Sequence, residues 1–198
     1  VQYLVIFGAL CSAFFGSFYL IATIQGRVQP NKVTWLLWAI APLISVGATI
    51  TDTGINWAIL PVFMAGFMPL LVFITSMFNR DAYWQLTTLD YLCGVVAILA
   101  LIVWLATSNP ILAIIFSIIS DAIAALPTLR KAWIRPSSEA PIYYVGGIIS
   151  TTTGILAATT HWSFSNVAFT IYLLLLDITL VIIILYRRKV LANKHDII

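Results

Sequence analysis

Residues 167–186, VAFTIYLLLLDITLVIIILY, run directly into Arg187, Arg188 and Lys189. A helix needs about 20 largely apolar residues to cross the hydrocarbon core of a bilayer. This stretch meets that length with one ionisable side chain, Asp177. Residues 178–185 do not alternate between apolar and polar, whereas outer-membrane barrel strands need alternation over about ten residues. Backbone groups in lipid must be satisfied within their own segment, so the stretch is predicted to be a transmembrane helix.

Working outward, six more runs share this character: 3–24, 33–50, 57–78, 89–106, 110–129 and 141–159. The breaks between them carry turn and cap chemistry, such as Asp52-Thr53-Gly54, Asn79-Arg80-Asp81 and Ser108-Asn109-Pro110. Of the 198 residues, 62% are hydrophobic and 9% charged. A soluble domain carries roughly a quarter charged residues, so one water-facing core cannot account for this chain. The run from Tyr3 lacks a basic leader and exceeds a signal-peptide core in length, so it reads as a true first span. The fold class predicted is an all-α membrane protein with seven transmembrane helices.

Numbering the gaps alternately gives the orientation. Arg27 and Lys32 fall in the first gap and Arg80 in the third. Arg130, Lys131 and Arg135 fall in the fifth, and Arg187, Arg188, Lys189 and Lys194 in the tail. All ten basic residues thus collect on one face, which the positive-inside rule assigns to the cytoplasm. The N-terminus is therefore expected outside and the C-terminus inside. Trp35, Trp38, Trp84 and Trp133 lie towards the basic face, and Trp57, Trp104 and Trp162 towards the other. Indoles favour both headgroup levels, so interface anchoring is expected of them.

Several function classes drop out. The net charge of +3 sits in short interhelical gaps and not on a soluble patch, so no nucleic-acid partner is expected. Cys11 and Cys93 lie inside apolar runs, and His161 and His195 are isolated, so neither metal nor cofactor is expected. A retinal protein needs a mid-membrane lysine, which 167–186 lacks. No cluster places a nucleophile beside a base, so the chain is not expected to be an enzyme.

Aligning Pro30 with Pro136 superposes 27–38 on 133–144: a basic polar turn, a proline, a short polar run, then an aromatic pair. The same offset lays the third span on the seventh. The chain then divides into a triple-helix bundle at 1–87, a linker helix at 88–108, a second bundle at 109–187 and a tail at 188–198. A one-helix linker makes the bundles parallel repeats, related by an axis along the membrane normal.

Residues 127–139, Pro127-Thr128-Leu129-Arg130-Lys131-Ala132-Trp133-Ile134-Arg135-Pro136-Ser137-Ser138-Glu139, resemble the signature of PQ-loop proteins. That signature is a Pro-Gln pair ending a helix, a basic-aromatic turn, then Ser and an acidic residue opening the next helix. The superfamily includes the SWEET sugar carriers and lysosomal amino-acid exporters, and its larger members have a three-one-three layout with the N-terminus outside. Departures are plain: Thr128 stands where the glutamine would be, Pro127 aligns with Ile21, and Gln29-Pro30 is a reversed pair. The resemblance implies hinge roles for prolines, here Pro42, Pro127 and Pro141, although Pro141 also suits a helix start.

Ionisable residues inside spans are functional candidates because they are costly there. Asp121 lies in the fifth span, with Ser117 and Ser120 nearby, and Asp177 in the seventh. No span carries a Lys or Arg that reaches either at depth, so each is costly to leave charged. A group that takes up and releases a proton is what proton coupling needs, and the resemblance implies that role for such aspartates. The alternative is a hydrogen bond to a neighbouring helix through Ser or Thr. Asp90, at the edge of the fourth span, reads as a helix cap. Hydroxyls of Ser45, Thr49, Ser117, Ser120, Thr152 and Thr153 are candidates for lining a substrate cavity, or for bonding back to their own helices. Trp38 and Tyr144, paired by the repeat, would cap such a cavity or anchor at the interface. Gly8, Ser12 and Gly16 form a small-residue face for close helix approach.

The expected function is alternating-access transport of a small polar solute, with proton coupling through Asp177 or Asp121 as its sharper form. The alternative is a non-transporting receptor or adaptor, since KDEL receptors share the architecture. A carboxylate-binding site would want a deep Arg or Lys, which the chain lacks. PnuC vitamin carriers, with three-one-three helices and tryptophan-rich motifs, are a rival within the transporter class. The partners expected are the solute, protons and the lipid bilayer, and a homo-oligomer is compatible. A bacterial inner membrane is favoured over a eukaryotic organelle.

Overall fold

The computed structural model describes residues 2–28, 30–78, 88–159 and 162–195. They form seven α-helices: α1 (Gln2–Ile24), α2 (Lys32–Thr53), α3 (Ile59–Ser76), α4 (Thr88–Thr107), α5 (Pro110–Ile134), α6 (Pro141–Ala158) and α7 (Phe164–His195). A short 3-10 turn, Pro136–Ser138, joins α5 to α6. No strand occurs among the described residues. Five helices, α1, α2, α3, α5 and α7, are long and apolar enough to cross a membrane. Outward faces carry exposed Phe7, Phe14, Ile98, Leu175 and Ile182. Soluble proteins rarely expose so much apolar surface, so hydrocarbon is the solvent that suits these faces. The chain is built as a multi-pass helical membrane protein is.

Local chemistry sets the helix ends. Asn31 caps α2 by accepting from the Val33 N–H at 3.0 Å. Asn109 caps α5 by accepting from Ile111 at 3.1 Å and Leu112 at 3.3 Å, with Pro110 at the first helical position. These caps satisfy N–H groups that have no carbonyl partner within the helix. Gly54, at φ 73°, ends α2 in a conformation that disfavours a side chain. The cap expected of Asp90 concerns a side chain outside the described residues, as do Arg80, Trp84, Trp104, Cys93, Lys194 and both histidines.

The helices pack in a ring. Going round, α1 lies beside α3, α3 beside α2, α2 beside α5, α5 beside α7, α7 beside α6, and α6 closes on α1. Helix α4 stands outside the ring, against α5 and α2. Replacing α1, α2 and α3 by α5, α6 and α7 maps the ring onto itself. Carried by the Pro30–Pro136 offset, Gln2 falls on Ser108, Thr53 on Thr159 and Ile59 on Ser165, each within two residues of the matching helix end.

Close contacts hold the ring. Gly8 lies against Thr153 and the Ser150 backbone, and Gly146 against Phe15 and the Cys11 carbonyl, so α1 and α6 approach closely through glycine on both sides. A core cluster at one end of the ring includes Tyr19, Val28, Trp35, Ala132, Tyr144 and Ile184. A second cluster, with Val46, Ile59, Ile114 and Phe169, fills the other. The basic connections meet at the first of these ends: Asn31, Lys131 and Glu139 border one small cavity there. Arg187 Nε donates to the Trp133 carbonyl at 2.8 Å beside them.

Candidate functional site

All six ring helices contribute to a central cavity of about 50 Å³. From α1 comes Ser12, from α2 Trp38, and from α3 a wall of Pro61, Met64, Ala65 and Pro69. Helix α5 supplies Asp121, and α7 supplies Asp177 between Leu173 and Leu180. The α6 wall is the polar one, with Tyr143, Tyr144, Gly147, Ser150 and Thr151. The two aspartates, far apart in sequence, thus share one space.

Their surroundings differ. Asp121 is 2% exposed. Its Oδ2 accepts from the Tyr172 hydroxyl at 2.8 Å, while Oδ1 is buried without a hydrogen-bond partner. Asp177 is half-buried and has no hydrogen bond to any described residue. Its carboxylate rests directly on Gly147: a methyl group there would overlap Asp177 Oδ2 and lie 2.9 Å from Cγ. The missing side chain of Gly147 is what lets that carboxylate sit between α6 and α7.

Other polar groups of the lining are also unpaired. Trp38 Nε1 and Ser150 Oγ are buried without partners. Only Thr151 is satisfied within its own helix, donating to the Gly147 carbonyl at 2.8 Å. An unsatisfied buried group costs about 1–3 kcal/mol, so several around one cavity mark a place suited to a polar guest. Ligand pockets for drug-sized molecules hold about 300–1,000 Å³. At about 50 Å³ the cavity has room for about four waters, and a larger solute would require the ring to widen.

Aromatic rings close the cavity towards the basic end. Tyr19 packs on Trp35 with centroids 4.8 Å apart, Trp35 on Tyr143 at 5.2 Å, and Tyr143 on Tyr144 at 5.3 Å. Beneath them lies Glu139, 3% exposed. It pairs with Lys131 at 2.9 Å and accepts from the Tyr144 hydroxyl at 3.1 Å. Arg188 Nη2 donates to the Glu139 carbonyl at 2.6 Å, and Arg187 stacks over Trp133 at 4.7 Å, tying α7 to the α5–α6 connection. At the other end Thr49 donates to the Ser165 carbonyl at 3.1 Å, and Thr53 and Asn56 donate to Asn166 Oδ1 at 3.1 and 3.2 Å.

The structure sorts the residues singled out in the sequence. Asp121, Asp177, Trp38 and Tyr144 meet at the cavity. Trp35, Trp38 and Tyr144 are 3%, 6% and 2% exposed, so the interface anchoring expected of them is corrected: all three are internal. Trp57, Trp133 and Trp162 remain exposed. Thr152 is exposed on the outside of α6, and Thr153 donates to Ser150 O and faces Gly8 of α1, so neither lines the cavity. Ser45, Ser117 and Ser120 are buried away from its lining, and Thr49 serves the α2–α7 contact. Pro42 and Pro127 lie inside α2 and α5, whereas Pro141 only starts α6.

Sequence reasoning passed over Gly147, Tyr143, Tyr172 and the pairing of Glu139. One signal was available: Glu139 is the sole glutamate of the chain, set among Lys131, Arg130 and Arg135. No group of three or more metal-ligating side chains occurs among the described residues. Compared with known proteins, the chain matches no family model, no curated protein and no solved structure.

Proposed function

We propose that the protein is a seven-span carrier with a SWEET-like arrangement, N-terminus outside and C-terminus in the cytoplasm, moving a small polar solute by alternating access. The observation that carries this reading is the shared cavity of Asp121 and Asp177, lined by every helix of a ring with internal two-fold repetition. The solute binds between the two triple-helix bundles, and protons couple to it through the two carboxylates. The aromatic layer and the Glu139–Lys131 pair hold the basic end shut, while the hydroxyl and amide contacts at Asn166 hold the other. Alternating access requires each set to part in turn. The segregation of basic residues and the small residues between α1 and α6 support the topology.

The test is reconstitution into proteoliposomes with an imposed pH gradient and a panel of labelled sugars, amino acids and organic cations. Gradient-driven uptake that is lost in Asp177→Asn is expected. Uptake indifferent to the gradient removes the coupling, and a membrane-impermeant label reaching positions 27 and 130 from opposite sides removes the topology.

A further inference from the structure

We propose that the solute is a small organic cation, bearing an ammonium or guanidinium group, and that it exchanges with protons at the Asp121–Asp177 pair. This deepens the carrier reading above and rests on it.

The charge inventory around the cavity is one-sided. Asp121 on α5 and Asp177 on α7 face it, and the other titratable groups at its wall are Tyr143 and Tyr144 of α6. Tyr172 of α7 reaches Asp121 from the side. Helices α1, α2 and α3 contribute Ser12, Trp38, Pro61, Met64, Ala65 and Pro69, none of which titrates. From α4, packed on α5, Tyr91 is exposed on the outer surface. The nearby cations are engaged elsewhere: Lys131 with Glu139, and Arg187 and Arg188 with backbone carbonyls at the basic end.

Two carboxylates meet one short hydrogen bond between them, and the unpaired donors at the wall, the Trp38 N–H and the Ser150 hydroxyl, are neutral, so no side chain of the lining compensates the carboxylate charge. A neutral guest can satisfy hydrogen bonds there but leaves the carboxylate charge to a proton and so drives no exchange, and an anion is repelled. A cationic N–H donor does both, and charge-assisted bonds to carboxylates are about twice as strong as neutral ones. Trp38, Tyr143 and Tyr144 add aromatic faces, which attract cations. Guanidinium has four heavy atoms, a fit for a cavity with room for about four waters.

Exchange follows from the shared ligands. With the guest absent, a proton compensates the carboxylate. When the cation enters, the carboxyl O–H bond breaks, the proton leaves to the side on which the cavity is open, and the cation takes its place. One monovalent cation moving one way and one proton moving the other leaves the charge balanced. Since both compete for one site, this is obligatory exchange and not co-transport.

Guanidinium and urea are the probes, alike in shape and different in charge. In acid-inside proteoliposomes, guanidinium uptake at least tenfold above urea uptake is expected, with loss of internal acidity on its addition. Purified wild-type protein should bind guanidinium with an apparent Kd that rises about tenfold per pH unit lowered, as displacement of one proton requires. Asp121→Asn and Asp177→Asn should each weaken binding at least tenfold, and the wild-type pH dependence decides the matter if either variant misfolds. Uptake of urea or a sugar with no uptake of guanidinium overturns the cation inference and leaves the carrier reading standing. Guanidinium binding with this pH dependence but no transport upholds the cation site and overturns the carrier. Neither binding nor uptake of any probe overturns both.

Discussion

Replacing Lys131 by methionine should strip Glu139 of its only ionic partner among the described residues while keeping the length of the side chain. Glu139 is 2% exposed at its side chain, and its carboxylate would be left with the Tyr144 hydroxyl at 3.1 Å. Breaking a buried pair by removing one partner costs about 3–5 kcal/mol. Lys131 is 20% exposed, so the lower end, about 3 kcal/mol, applies. In a chain of this size each kcal/mol moves the thermal midpoint by about 2–4 °C, so a fall of about 6–12 °C is expected in detergent. Glu139→Gln keeps the tyrosine contact and lets Lys131 turn to water, so it should cost about 1 kcal/mol, as loss of one neutralised hydrogen bond does. The double variant should sit near Glu139→Gln, giving a coupling of about 3 kcal/mol where a surface pair gives about 1 or less. Additive single changes, or a midpoint for Lys131→Met within about 2 °C of wild type, would refute the view that this pair holds the basic end closed.

Gly147→Ala forces a methyl group into the seat of the Asp177 carboxylate; overpacking of this kind costs about 1–3 kcal/mol, and solute affinity measured by titration should fall about tenfold as the carboxylate shifts. Tyr172→Phe removes the 2.8 Å hydrogen bond and leaves Asp121 with no donor among the described residues, so unfolding measurements should show a loss of about 1–3 kcal/mol. Thr152→Val, on the exposed face of α6, should change stability by less than about 0.5 kcal/mol and leave transport untouched. Ser150→Ala removes a buried hydroxyl that lacks a partner, so stability should hold or rise by up to about 1 kcal/mol while solute affinity falls.

Much of this architecture could be read from the chain, and the parts that could not share one cause. Helix ends were legible wherever turn chemistry interrupts an apolar run: Asn31, Gly54 and Asn109 mark ends that the structure places within a few residues. Helix α7 outruns its apolar stretch, continuing to His195, because Arg187, Arg188 and Lys189 are good helix formers once outside hydrocarbon. Asp121 and Asp177 stood out because ionisable residues are rare in such spans. Their company did not. In a helix apolar on all sides, periodicity does not say which face turns inward, so Thr151 on the cavity and Thr152 outside look alike in sequence. A glycine reveals nothing of what rests on it, and the seat at Gly147 emerges only when α6 and α7 are packed.

The two-fold repetition of the ring sharpens the meaning of what breaks it. Trp38 and Tyr144 are equivalent by the repeat, and both reach the cavity. The aspartates have no such counterparts: the offset lays Asp121 on Phe15 and Asp177 on Leu71. Both carboxylates therefore belong to the second half, while the first half presents Ser12, Trp38 and a wall of proline, methionine and alanine, none of which carries charge. On the carrier reading proposed above, putting the charge on one of two rocking bundles lets the guest stay with its ligands while the uncharged bundle swings past. The cost of desolvating the pair then need not be met twice in each cycle. Moving one carboxylate across, as in Ala65→Asp on the cavity wall of α3 with Asp177→Leu, would split the ligands between the bundles, so that each rocking step pulls the guest from one of them. Such a variant should keep its affinity within about tenfold, the equivalent of about 1.4 kcal/mol, but lose turnover.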